Sequence, residues 1–432
     1  MGNSTRSTEN RATVLLISRH LPDALEGDRG LRLLQYAQNL TRIGTKIDML
    51  ICPDHEIDDV EVRRCRARVE CDRIVALEPT SADGRGAWLQ RLAMSLPAFV
   101  GKKLAAMLKT PLSWRRAARQ LLRETRYHAI IVLDPGLAGL CKTSSASSVH
   151  LLDLVDLGLE KNRSDGPRRQ ANLQETLDHI HLFDRIMAPT GLDANLWERM
   201  GQGVPLTVLP YVGTGPGLSH QRPPSRPPGI LLLASRDPED QDAMRFFRKK
   251  VFPKIQERVP STRLRIFSPE IDLLDPAPNV DLFDAPGVVE ELFQESWVCV
   301  FPQRTGMRAR SWLAEALCRG KAVVATPSGA YGMGIAPDNG VIVAKSPQEF
   351  HEEVVRVLTD DAHREKLETR AQEWTANDLR PEQASKTLAE ILALTPTITK
   401  RAALREKLTS PKSTASTGES ETELAGSGSH ME

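Results

Sequence analysis

In the stretch FPQRTGMRARSWLAEALCRG, three arginines, Arg304, Arg308 and Arg310, fall within seven residues between an apolar run and an apolar helix, with Gly306 in the turn. Guanidinium groups grip phosphate oxygens two at a time, and the free N–H groups of a helix N-terminus add a positive dipole end, so this arrangement suits a phosphate. Glu315 stands five residues beyond Arg310 on the same helix. A carboxylate about one turn deeper than a phosphate can accept hydrogen bonds from ribose hydroxyls; the competing reading pairs Glu315 with Arg319 across i, i+4. A second loop, LLLASRDPED, ends another apolar run at Ser235–Arg236 and should open onto the same crevice.

A further polar loop, SRHLPDALEGDRGLRLL (residues 18–34), carries Gly27 and Gly30 for tight backbone and leads into a helix whose free N–H groups would suit an anion. His20, Arg29 and Arg32 surround it. The alternative is a solvated loop with its charges in water. The spacing G-x-G-x-x-G is absent, so the dinucleotide fingerprint does not apply.

The elements that must position these groups alternate. RATVLLISRH reads as a strand, GLRLLQYAQNLTRIG as a helix stopped by Gly44, and KIDMLICPD as a second strand, with further strands in YHAIIVLDP, SVHLLDLVD, FDRIMAPT and PLTVLPY. A Pro- and Gly-rich stretch, TGPGLSHQRPPSRPPG, can neither pair in a sheet nor continue a helix and marks a boundary. The alternation then resumes: ILLLAS, TRLRIFS, VDLFDA, WVCVFP, AVVAT and GVIVA as strands, AMRFFRKKVFPKIQERV and VVEELFQES as helices, and only helices beyond. The expected fold is α/β, with two doubly wound parallel sheets. Its parts are a disordered N-terminus over 1–10, a first domain over 11–213, a linker over 214–228, a second domain over 229–380, a helix over 381–395 that packs back on the first domain, and a disordered tail over 396–432 whose end, GSGSHME, resembles a tag remnant.

A chain of 432 residues suits two domains of roughly 150–200 residues each, and so a cleft between them. Its net charge of +1 gives no overall pull toward nucleic acid or membrane. The six cysteines show no C-x-x-C pair and read as reduced thiols, the N-terminus carries no apolar signal region, and no run reaches the ~18 apolar residues of a membrane span, so the cytoplasm is the expected compartment. One local asymmetry stands out. Residues 84–123 hold nine Lys or Arg and no acid, with Trp88, Phe99 and Trp114 interleaved. Such a segment suits peripheral contact with an anionic membrane, and the alternative is apolar faces packed on the first sheet with solvated cations. No nucleic-acid module is recognisable in it.

The second half resembles the nucleotide-binding half of family 4 glycosyltransferases of GT-B architecture, in particular a bacterial exopolysaccharide-associated branch. The likeness is carried by ILLLASRDPEDQDAMRFFRKKVFPKIQERVPSTRLRIFSP, by GVVEELFQESWVCVFPQRTGMRARSWLAEALCRGKAVVATPSGAYG and by NGVIVAKSPQEFHEEVVRVLTDDAHREKLETRAQEW. In the first half GDRGLRLLQYAQNL and LLDLVDLGLEK resemble that branch's glycine-arginine loop and paired-aspartate strand end.

The resemblance implies a transferase that moves a sugar, with retention, from a nucleotide-diphosphate sugar (UDP- or GDP-linked) to a carbohydrate or lipid-linked acceptor. It implies no cofactor and no metal. The donor would meet Arg236, Arg308, Arg310, Glu315, Gly306 and the backbone of Gly287–Glu290 around Val289, with Glu315 on the ribose. Acceptor-side candidates are His20, Gly27, Arg29, Arg32, Asp153 and Asp156, and no catalytic base is assigned. Several positions depart from the family pattern: Met307 for an earlier glutamate, Trp312 for a lysine, Gln241 near the place of a phosphate-binding lysine, Tyr211–Gly215 for the usual hinge, and Tyr331 for an acid. These departures motivate two rivals: a silent GT-B scaffold, and a GT-B sugar epimerase, which lacks a carboxylate–histidine set here.

Overall fold

The computed structural model describes residues 12–23, 26–79, 111–144, 147–154, 177–200, 203–214, 227–271, 277–306, 309–334 and 339–393. These lie in one compact unit ending at Pro396. The strands are β1 Thr13–Ser18, β2 Lys46–Ile51, β3 Arg73–Ala76, β4 Ala129–Val132, β5 Val149–Asp153, β6 Arg185–Ala188, β7 Leu206–Val208, β8 Gly229–Leu233, β9 Arg263–Phe267, β10 Val280–Phe283, β11 Val298–Phe301, β12 Ala322–Ala325 and β13 Val341–Val343. They form a 7-stranded sheet ordered β3-β2-β1-β4-β5-β6-β7 and a 6-stranded sheet ordered β10-β9-β8-β11-β12-β13. The pairings are parallel, from Val14 against Ile47 and Ala129 in the first sheet to Leu231 against Arg265 and Cys299 in the second.

Both sheets are therefore wound outward from a central strand in each direction, and the expected pair of Rossmann-like domains is what the chain forms. The sequence logic is visible in β1 (TVLLIS) and β8 (GILLL), which are apolar almost without interruption because parallel strands are covered on both faces.

The helices are α1 Gly27–Arg42, α2 Asp59–Arg68, α3 Leu112–Glu124, α4 Gly191–Arg199, α5 Pro238–Phe246, α6 Phe252–Arg258, α7 Val289–Glu295, α8 Ser311–Cys318, α9 Pro347–Thr359, α10 Asp361–Asp378 and α11 Pro381–Ala393. The long helical run AMRFFRKKVFPKIQERV is divided by a π-helical turn at Phe247–Val251 just before Pro253. Proline has no N–H to donate and its ring crowds the preceding turn, which a wider turn relieves. Among the described residues α11 lies against α1, where Ser385 Oγ donates to Asn39 Oδ1 at 2.8 Å, and His128 Nε2 meets Leu392 O at 2.8 Å.

The acid-free segment is described only from residue 111 onward, so Trp88, Phe99, Lys102 and Lys103 lie outside the described residues. Trp114 on α3 corrects part of the membrane expectation. It is 1% exposed, its Nε1 donates to Glu78 O at 3.1 Å, and Arg19 lies 5.8 Å above its ring, so it is a core residue of the first domain. Among the described residues no helix is long and apolar enough to cross a membrane.

Candidate active site

The carboxyl ends of β8 and β11 are tied together by an acid that sequence reasoning missed. Asp240, on α5 and 4% exposed, accepts through Oδ2 from Ser235 Oγ (2.7 Å) and Ser235 N (3.2 Å). Through Oδ1 it accepts from Arg310 Nη1 (2.8 Å) and Gln303 Nε2 (3.1 Å). Its sequence signal was faint: one of three acids in PEDQD, set five residues past Ser235.

This hub revises the role expected of Arg310. The guanidinium is 2% exposed and committed to Asp240, with Glu239 Oε2 at 4.0 Å from Nη2, so it braces the loops rather than presenting itself to solvent. Its Nε and Nη2 have no hydrogen-bond partner among the described residues. Gly306 sits against the same group with φ +93, a backbone region that side chains disfavour, and an added Cβ would lie 2.5 Å from Glu239 Oε2. Arg304 is spent on Asp242 at the surface (2.6 Å) while it stacks on Phe246, and Arg308 lies outside the described residues. Arg236, with a side chain 43% exposed, is the described strand-end arginine of this domain that reaches into the crevice.

Glu315 is 1% exposed, and both readings of it meet there. Its Oε2 pairs with Arg319 one turn on, as the i, i+4 alternative required. Its Oε1 accepts from Thr214 N at 2.6 Å and Thr214 Oγ1 at 2.5 Å, on the segment that leaves the first domain. Arg319 also reaches Glu290 at 3.3 Å, so one guanidinium joins Glu315 to the first turn of α7. Val289 heads α7 with its side chain in the core, 8% exposed, leaving only its backbone for a base. Two of the family-departing positions are structural: Trp312 is 4% exposed and lies edge-on to Phe267 with ring centroids 5.8 Å apart, and Gln241 holds Ser235 O at 2.7 Å; Met307 and Gly215 lie outside the described residues.

The first domain faces this site closely. Asp28 Oδ1 accepts from Ser311 N and Ser311 Oγ, each at 2.7 Å, at the first residue of α8. Gly27 has φ +63, and a Cβ there would lie 2.5 Å from Ser235 Cβ. Glu26 Oε1 lies 3.4 Å from Arg236 Nη1 and 3.3 Å from His55 Nε2, while Oε2 lies 2.8 Å from His20 Nδ1. Arg29 Nη1 is 3.4 Å from His20 Nε2. His20, Gly27 and Arg29, expected on the acceptor side, are thus brought together with Arg236, expected at the donor, and His55, from the loop after β2, joins them without having been singled out.

Arg32 and Asp153 require a correction. Both side chains are 0% exposed, with Asp153 Oδ2 accepting from Arg32 Nη2 (2.8 Å) and Nε (3.1 Å) and from Tyr36 Oη (2.5 Å). Arg32 also donates to Pro210 O at 3.2 Å and lies 5.1 Å from the rings of Tyr36 and Tyr211. Neither side chain faces an acceptor; together they fix α1 to β5 and to the departing segment, with Asp153 Oδ1 unpartnered among the described residues. Asp156 lies outside the described residues. In their stead the first sheet presents Arg19, which pairs with Asp54 (2.6 Å) and Asp134 (3.0 Å) at the carboxyl ends of β1, β2 and β4. That is where the strand order reverses and where ligands of open α/β sheets sit. Its signals, Arg19 closing RATVLLISRH and Asp134 closing YHAIIVLDP, were there to be read as strand ends.

Residues 227–360 match the family described as Glycosyl transferases group 1. The whole described architecture is GT-B, two Rossmann-like domains of the kind seen in solved GT-B glycosyltransferases. A TarM mutant from S. aureus in complex with fondaparinux, alpha-GlcNAc-glycerol and UDP superposes with a TM-score of 0.63 at 8% identity, covering 88% of this chain and 100% of that one. Anabaena Alr3699/HepE in complex with UDP-glucose gives 0.58 at 13% identity, over 89% and 100%. A UDP-forming trehalose-phosphate synthase from Burkholderia xenovorans gives 0.57 at 12% identity, over 89% and 99%. No curated protein matches the chain by sequence.

Proposed function

We propose that this chain is a glycosyltransferase of the family 4 type that binds a nucleotide-diphosphate sugar, UDP- or GDP-linked, against its second domain. It transfers the hexosyl group, with retention, to a carbohydrate or lipid-linked acceptor at the carboxyl ends of β1 and β4. The observation that carries this is the family match over 227–360, which contains Arg236, Asp240, Arg310 and Glu315 and the α8 N-terminus at the crevice. Support for the nucleotide comes from structural relatives solved with UDP or UDP-glucose. Cationic side chains and a helix end stabilise the leaving diphosphate in this scheme, with no cofactor. Thermal-shift and calorimetric titration with UDP-, GDP- and other nucleotide sugars, followed by assay of nucleoside diphosphate release with candidate acceptors, tests it; absence of binding by every nucleotide removes it.

A silent GT-B binding protein is the second reading. It is favoured by Arg310 and Glu315 being committed to internal partners and by Gln241 and Trp312 serving as packing residues. Tight nucleotide-sugar binding without any turnover, hydrolysis included, would select it.

Peripheral contact with an anionic membrane in the cytoplasm and a role in polysaccharide synthesis belong to the same proposal, and the exposed arginines of α3, Arg116, Arg119 and Arg123, support the first. Vesicle co-sedimentation independent of lipid charge and salt would remove the contact.

A further inference from the structure

The segment Glu26–Gly27–Asp28 enters the second domain at two places an anion would choose. Asp28 takes the first N–H and the hydroxyl of Ser311, at the head of an α8 whose own flanking residue, Arg310, supplies no side-chain cap. Helix N-termini carry orphan N–H donors and the positive end of the dipole, so a carboxylate there stands where a phosphate would. Two residues earlier, Glu26 meets Arg236, His55 and His20, and its side chain is only 6% exposed. Between the two acids the backbone turns through φ +63 at Gly27, close enough to Ser235 that a Cβ would lie 2.5 Å from that side chain. The tripeptide therefore fills the crevice between the strand-end loop of β8 and the head of α8 with two negative charges on a backbone that favours glycine.

Resting on the nucleotide-diphosphate reading above, we propose that Glu26–Gly27–Asp28 is an internal stand-in for the donor's diphosphate. Its carboxylates take the cation and helix-end positions of the two phosphates, clasp the two domains together when no donor is bound, and leave when a diphosphate enters. The ligand class of the crevice is then a pyrophosphate-linked molecule, since a monoanion could replace one carboxylate but not both. The clasp also sets affinity: a site open for only a fraction of the time binds with its intrinsic affinity reduced by that fraction. A purely structural clasp would hold the domains without competing with any ligand.

The test is isothermal titration of UDP, GDP and inorganic pyrophosphate, with uridine and guanosine as phosphate-free controls, into the full chain and its Asp28→Ala, Asp28→Asn and Glu26→Gln variants. If the clasp is closed about nine-tenths of the time, Asp28→Ala tightens pyrophosphate and the preferred nucleoside diphosphate by about tenfold and leaves the nucleoside unchanged. Glu26→Gln tightens them by a smaller factor. Should Asp28→Ala not fold, the asparagine variant carries the same expectation, because an amide is a weaker occupant of a helix N-terminus than a carboxylate. Diphosphate binding that is unchanged or weaker in folded variants overturns the clasp and leaves the donor reading standing. Failure of wild type and every variant to bind any diphosphate overturns both.

Discussion

The Arg32–Asp153 pair and the Glu26–Arg236 contact both join an acid to a guanidinium near the carboxyl end of a sheet. In the first, both side chains are 0% exposed. In the second, a carboxylate 6% exposed meets a guanidinium 43% exposed. Arg32 is closed in by Tyr36 and Tyr211, and although burial alone would lower its pKa, the Asp153 carboxylate beside it raises it above its ordinary value. No ligand can reach it, and removing its partner strands a charge. Arg236 has water on one side and two histidines near its partner, so its carboxylate can be exchanged for another anion. A charged residue at a strand end becomes a fastener or a ligand site according to whether it keeps a face in the crevice, and that is decided by packing from elements distant in sequence.

The sharpest break of this comparison is Asp153→Ala. Leaving Arg32 buried without its counter-ion costs about 3–5 kcal/mol of folding stability. Urea unfolding should show that loss, whereas Glu26→Ala, on the wetter side, should lose far less; equal losses would erase the distinction drawn between the two clusters. Next in size is Glu315→Ala, expected to cost roughly 1–3 kcal/mol because Thr214 N and Arg319 lose their acceptor. If Glu315 also meets the ribose, donor binding falls together with stability. A variant that unfolds more easily yet binds donor as wild type does would reduce Glu315 to its contacts with Thr214 and Arg319.

The strands that build the crevice were legible because parallel strands covered on both faces must be apolar almost throughout, as VLLI at β1 and ILLL at β8 are. β3 (Arg73–Ala76) and α2 (Asp59–Arg68) were not, since the first is four residues long and the second buries only Cys65. At the site, residue type foretold location better than role. Arg236 and the 18–34 loop do reach the crevice, because both follow a central strand. Arg310 and Arg32 match the chemistry of a ligand contact equally well but are consumed by Asp240 and Asp153, acids at separations of 70 and 121 residues that no local pattern connects to them. His55 and Asp240 were silent for the same reason: their importance comes from the partner across the crevice.

Gly27→Ala probes the wet cluster through the backbone. A left-handed φ costs a residue with a Cβ roughly 1–2 kcal/mol, and the added methyl meets Ser235, so the head of α1 must withdraw from the second domain. Lower melting temperature with faster protease cleavage between the domains is expected. Gly27→Ala combined with Ser235→Gly relieves the clash but not the backbone strain, and should recover part of the loss; no recovery would mean that the close approach at Ser235 is not what the substitution disturbs.

The smallest expected effect is a pH dependence confined to the wet cluster. Burial alone would raise the Glu26 carboxyl, but the hydrogen bond to His20 and the close ion-pair contact with His55 hold it at about 2, below its ordinary 4.5. A depressed carboxyl stabilises the fold above about 4.5, and that stabilisation is lost as pH falls toward 2. His55 moves the other way: Glu26 raises it above 6.5, against burial and Arg236, with Glu61 adding slightly. Its contribution is complete below 6.5 and is lost as pH rises through the folded-state pKa. The clasp is therefore firmest between about 4.5 and 6.5 and loosens toward alkaline pH. Melting temperatures of wild type and His55→Asn, followed from about pH 6 to about pH 8.5 (from just below the ordinary histidine pKa to about two units above it), should converge as pH rises. Asp153→Asn, in the dry pair, should leave the same convergence intact. Parallel wild-type and His55→Asn curves across that interval would mean that His55 does not hold Glu26, leaving Arg236 and His20 as its partners.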